Sequence, residues 1–212
     1  RDGVNFHVRH RWGGWDQTGA LRFATPHGVR LVHSDAVVLA LGGGSWPRFG
    51  SDGRWVSLLA GRGVSIEPLR PANCGFDVNW SRHIRTRFAG HPVKPVVVAG
   101  ITPEGVEFRR QGEFVVTETG IEGGVNYGGS AWLRHEILAK GMALIRLDLA
   151  PDRDLPRLIK DLSRPRGSRS MASHLQRRAG IEGVKAALLR EFMAKQDLTD
   201  PERLGAKIKS LP

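Results

Sequence analysis

Val37-Val38-Leu39-Ala40-Leu41-Gly42-Gly43-Gly44-Ser45-Trp46-Pro47 is an apolar run that stops in three glycines and a proline. Five apolar residues without alternation predict a strand covered on both faces, as in a parallel sheet. Open α/β sheets bind ligands just outside the carboxyl ends of their strands, and glycine there lets backbone approach a ligand with no Cβ in the way. Gly42, Gly43 and Gly44 are therefore a candidate cofactor edge. An ordinary strand ending in a glycine turn fits the same residues.

Upstream of this run, apolar and polar residues alternate between glycine turns. Val4–Val8, Arg11–Trp15, Ala20–Ala24 and Val29–Val32 read as antiparallel strands. Downstream, Trp55–Ala60 has helical apolar spacing and meets glycines at 61 and 63. Pro68 and Pro71 then mark an extended exit, which places a domain boundary near residue 70.

Residues 71–150 carry short strand signals, at 75–78, 96–99, 105–109, 112–117 and 143–149, separated by turns such as Thr102–Gly105. That spacing suits a small barrel or sandwich. Ser130 is placed to cap a helix over 131–140 that Gly141 closes. Residues 151–212 turn helical, at 155–162, 170–179, 184–195 and 201–209, with Gly180 as a stop and Asp200 capping Pro201. The fold class expected is mixed α/β, of the α+β kind.

Composition narrows the chemistry. The single cysteine, Cys74, excludes an internal disulfide framework and any site built on two or four cysteines, so a reducing cytoplasm is the simplest compartment. No stretch reaches the roughly 18 apolar residues of a membrane span, and the amino terminus has no signal-peptide core. Eight histidines show no zinc-type spacing, so no metal is expected. G-x-S-x-G, Walker and Cys-His nucleophile patterns are missing, which leaves hydrolase and NTPase readings without support. The net charge of +11 is concentrated beyond residue 150. The connector Arg164-Pro165-Arg166-Gly167-Ser168-Arg169 is the first candidate for a phosphate contact.

Asp35-Ala36-Val37-Val38-Leu39-Ala40-Leu41-Gly42-Gly43 resembles the "DxVVLAxGG" strand of two-dinucleotide-binding-domain flavoproteins. Ser45-Trp46-Pro47, Gly50, Asp52-Gly53, Gly63 and Pro68-Leu69-Arg70-Pro71-Ala72 extend the likeness to the BaiN/YhiN-type NAD(P)/FAD-dependent oxidoreductases. Phe88-Ala89-Gly90-His91-Pro92-Val93-Lys94 resembles that family's "FAGxPLK" segment. Gly112–Gly124 resembles its "GE.LFTH.GISGP" signature, with Glu122 and Gly124 where the signature has serine and proline.

The resemblance implies a partial FAD/NAD(P)-binding domain over 1–70, of Rossmann-like type, then a barrel-like insert over 71–150 and a basic helical subdomain over 151–212. It implies FAD as cofactor, with NAD(P)H or an organic substrate as the candidate hydride partner. Cofactor contacts are expected from Ala40, Leu41, Gly42, Gly43, Gly44, Ser45 and Pro47, and a flavin or substrate contact from Thr117, Gly120 and Gly123. A strand–G-x-G-x-x-G–helix unit and a "GGYN"-type return segment have no counterpart here, so the chain reads as an internal piece of a flavoprotein, inactive alone. No catalytic acid or base is assigned, and the small-molecule substrate is open. The competing reading is a basic nucleic-acid-binding or assembly module.

Overall fold

Alternating residues around glycine turns build the first sheet. The computed structural model describes residues 3–212. These fall into two units that meet between Pro71 and Ala72. In the first, β1 (Arg11–Trp15), β2 (Leu21–Thr25) and β3 (Gly28–Val32) form an antiparallel meander in chain order. The Gly13-Gly14 pair lets the register of β1 slip between Trp12 and Trp15. Asp16 holds the β1–β2 turn, its Oδ1 accepting from Thr18 N, Thr18 Oγ1 and Ala20 N at 2.8–2.9 Å. These bonds, Thr18 Oγ1 foremost, lower its pKa. Helix α1 spans Trp55–Ala60.

Two expected strands are corrected here. Residues 4–8 form no strand, and Phe6 is 88% exposed. Residues 37–41 are not a sheet strand either, and Val38 is 91% exposed. No strand among the described residues lies alongside 37–41, so neither a ladder nor a cover for both faces forms. Among the described residues every strand pairing is antiparallel.

The second unit holds a five-stranded antiparallel sheet. Its strands are β4 (Phe76–Asp77), β5 (Pro92–Ile101), β6 (Glu107–Val116), β7 (Gly120–Glu122) and β8 (Arg146–Asp148), in the order β4-β7-β6-β5-β8. The strands expected at 105–109 and 112–117 are one continuous β6. Between them in sequence stand α2 (Arg82–Phe88) and α3 (Gly124–Lys140). Helix α3 starts well before the predicted 131. Ser130 does not cap it but lies buried inside it, donating back to Asn126 O at 3.0 Å.

Four short helices follow: α4 (Leu155–Leu162), α5 (Met171–Ala179), α6 (Gly183–Glu191) and α7 (Pro201–Lys209). The predicted helix over 184–195 ends early, and Lys195–Thr199 is a 3₁₀ turn. Asp154, Ser170 and Asp200 accept first-turn N–H bonds, and Gly180 takes the left-handed conformation that ends α5. The core joins both layers: Phe114, Val93 and Val96 of the sheet pack with Leu158, Leu188 and Ile208 of the helices, all essentially buried. Burying each such side chain stabilises the fold by roughly 1.5–3 kcal/mol. Leu211 pairs with Leu147, N–H to O in both directions at 2.7 and 2.9 Å, tying the segment after α7 to the edge strand β8. The architecture is mixed α+β, as expected.

Candidate functional site

After β3 the chain runs to Leu41 without regular secondary structure, bending at Asp35, and then turns through the glycines. Gly42 has φ +69°, a left-handed conformation that glycine adopts without strain. Gly42 O accepts from Trp55 Nε1 at 3.1 Å, and Gly43 O accepts from Gly53 N at 3.1 Å. Trp46 N and O bond to Ser51, closing a small loop around the 3₁₀ turn Pro47–Phe49. The carbonyls of Gly42 and Gly43 are thus both bound within the unit. The N–H groups of Gly42, Gly43, Gly44 and Ser45 donate to no group among the described residues, and all four residues are exposed. Free backbone donors in a glycine turn are groups that an anion can use.

Beside this turn lies an open cleft of about 420 Å³, lined by Leu39, Ala40, Leu41, Gly42, Trp55 and Leu59. Such a volume is at the small end of ligand sites, enough for part of a dinucleotide. Of the residues expected at the cofactor, Ala40, Leu41 and Gly42 line the cleft. Gly43, Gly44 and Ser45 continue from it, and Pro47 begins the 3₁₀ turn. Trp55 and Leu59 were not foreseen as site residues. Their i, i+4 spacing on a predicted helix was the available signal, since it places both side chains on one face.

A Cβ built on Gly43 would come no closer than 4.0 Å to any atom, that of Ser51 Oγ. One on Gly44 would press on Leu69 Cδ1 at 3.2 Å, the movable end of a side chain. The fold itself does not demand glycine at 43. The space beside it and the free donors are open to a ligand.

Thr117, Gly120 and Gly123 sit in the second unit. Thr117 N donates to Gly120 O at 2.8 Å, and Gly120 N donates to Thr117 Oγ1 at 2.9 Å, closing the β6–β7 hairpin. Gly120 O also accepts from Trp80 Nε1 at 3.0 Å. A Cβ on Gly120 would collide with the Phe76 carbonyl oxygen, so this glycine is required by the close approach of β4. Gly123 has φ +81° at the start of α3, with open space around its Cα. Thr117 and Gly120 therefore spend their polar groups on the hairpin, and Gly123 alone of the three is open.

A buried polar clamp joins the helices to the sheet. Asp148, 3% exposed, meets Lys209 Nζ at 2.6 Å, and Lys209 also donates to the carbonyls of Ala150 and Arg153. Lys185 Nζ donates to Pro95 O at 2.6 Å and Leu149 O at 2.7 Å. Desolvation lowers the pKa of Lys185, with Asp148 and Asp152 partly opposing it. Every partner is a group of the chain itself, so the cluster is a structural joint. Among the described residues no three histidine, cysteine or carboxylate side chains gather as metal ligands, and no helix is long and apolar enough to cross a membrane.

The second unit thus combines a five-stranded antiparallel sheet with short helices, of which α5 and α6 are joined by the Gly180–Glu182 turn. Residues 70–212, about two thirds of the chain, match the family model described as HI0933-like protein barrel and H2TH domain. The chain belongs to this HI0933/BaiN-type flavoprotein family. No curated protein matches it.

Proposed function

We propose that this chain is part of an FAD-dependent, NAD(P)-linked oxidoreductase of a reducing, cytoplasmic compartment. Its glycine turn meets the flavin dinucleotide, and its second unit serves as the insert on the substrate side. The observation that carries the reading is the turn itself: four exposed, unbonded N–H groups from Gly42 to Ser45 beside an apolar cleft, in a chain of this family. Backbone donors would hold a phosphate of the dinucleotide, and Leu39, Ala40, Leu41 and Leu59 would exclude water from its apolar edge. Trp55 fixes the turn by its bond to Gly42 O. When bound, the flavin supplies the hydride chemistry, and the protein supplies binding and orientation.

The visible absorption spectrum of the purified full-length protein tests this. Flavin absorption that bleaches on adding NADH or NADPH is the expected result. A colourless protein that takes up no FAD on reconstitution refutes the assignment.

A further inference from the structure

We infer that the exposed face of α2, with the ring ladder beside it, binds single-stranded nucleic acid. The sequence from 78 to 103 contains no aspartate or glutamate but places Arg82, Arg85 and Arg87 on one short helix. Ile84 is its buried anchor and Phe88 is half-buried, whereas Arg82, His83, Arg85, Thr86 and Arg87 are all exposed. Elsewhere at the sheet Lys94 pairs with Glu113 and Arg109 with Asp148. None of the three α2 guanidinium groups has a carboxylate within ion-pair distance among the described residues. The carboxylate that α2 does meet, Glu191, is engaged by Ser81 N at 2.6 Å and Ser81 Oγ at 2.7 Å.

Three charges on one and a half turns without compensation repel one another, and an extended polyanion relieves that repulsion. An exposed helix face is convex, so a small anion would meet one guanidinium at a time. Arg82 and Arg85 stand one turn apart and Arg87 on the other flank of the exposed arc, about 160° from Arg85 at about 100° per residue. A flexible single-stranded chain of phosphates can bend round that arc to meet all three, and the planar guanidinium fork matches phosphate oxygens two at a time.

The second observation concerns the rings. His83, Phe88 and His91 form a ladder, with centroids 5.6 Å and 5.5 Å apart in edge-to-face contact, and both histidines are exposed. Guanidinium groups beside exposed aromatic planes are what unpaired bases stack on, whereas paired bases in a duplex present no free faces. These residues are other than the connector Arg164–Arg169 named from sequence, and the inference does not rest on the proposed flavin site.

Fluorescence anisotropy with a labelled 20-nucleotide oligothymidylate on the full chain tests the assignment. Arg82→Gln/Arg85→Gln/Arg87→Gln should weaken binding at least tenfold and reduce the slope of log K against log salt by about 2, three phosphate contacts at roughly 0.7 each. His83→Ala/His91→Ala should weaken it several-fold with little change in that slope. The charge-matched Arg164→Gln/Arg166→Gln/Arg169→Gln should stay within about twofold of wild type. Unchanged thermal unfolding of the α2 variant shows that the loss is not misfolding, as expected for exposed side chains. Absent binding by the wild type, an equal loss in the connector variant, or equally tight binding of a duplex or of polyglutamate overturns the proposal.

Discussion

Gly42 to Gly44 and the pair Gly120 and Gly124 are the same residue used for opposite reasons. In the second unit a Cβ on Gly120 or Gly124 would drive into the backbone carbonyl of Phe76 or Glu113, so close packing of strand against strand and helix explains the glycines completely. In the first unit the space beside Gly43 is open and its neighbours' N–H groups are unbonded. The contrast teaches that a glycine-rich signature has to be weighed by what surrounds it. Where the fold does not require the glycine, something that binds there can.

The packed region should fail first and hardest. Asp148→Ala leaves the half-buried Lys209 with only its two carbonyl partners, and losing its carboxylate should cost up to about 3 kcal/mol, the low end for a buried pair. Urea unfolding of wild type and variant measures this, and a loss below about 1 kcal/mol would show that the clamp is not what joins helices to sheet. Gly120→Ala forces β4 away from β7 and should cost about 1–3 kcal/mol by the same measurement. If it is tolerated, the packing half of the contrast is lost.

The open region should behave otherwise. Gly42→Ala carries only the strain of a left-handed alanine, about 1–2 kcal/mol, with Ser51 Oγ 3.3 Å from the new Cβ. Gly43→Val should change stability by no more than about 0.5 kcal/mol. The ladder from Asp148 to Gly43 is thus a graded test of how tightly each place is built.

The parts of the fold that local chemistry decides were legible in the sequence. The β1–β3 meander, Trp55–Ala60 and the helices bounded by Ser170, Gly180 and Asp200 needed only alternation, spacing and caps. The misses are tertiary. Helix α2 escaped because a single buried Ile84 gives no periodic signal in a run of arginines, and it is held from a distance by Glu191 of α6. Strand β7 is three residues long, too short for alternation to register, and exists because β4 and β6 flank it. Ser130 looked like a cap by residue type, yet Gly123 starts the helix and the serine hydroxyl turns inward.

The candidate site was legible in part for the same reason. The glycine run Gly42–Gly44 announces a special backbone, but the apolar strand expected before it could not be confirmed by composition alone. Val37 to Leu41 has strand-forming residues, and strands exist only with partners. The i, i+4 spacing puts Trp55 and Leu59 on one helix face, but which face meets the glycine turn shows only in the bond from Trp55 Nε1 to Gly42 O.

The claim that the glycine turn is a cofactor edge is tested most directly by Gly43→Val in the full-length protein, measuring FAD affinity and apo-protein thermal unfolding on the same preparation. An added side chain occupies space that the fold leaves empty and the ligand needs. The expected result is an FAD affinity lowered at least tenfold, about 1.4 kcal/mol, with the unfolding midpoint of the apo-protein shifted by no more than about 2 °C. Unchanged affinity, or affinity lost only in step with stability, would contradict it and return Gly42 to Gly44 to the role of a turn.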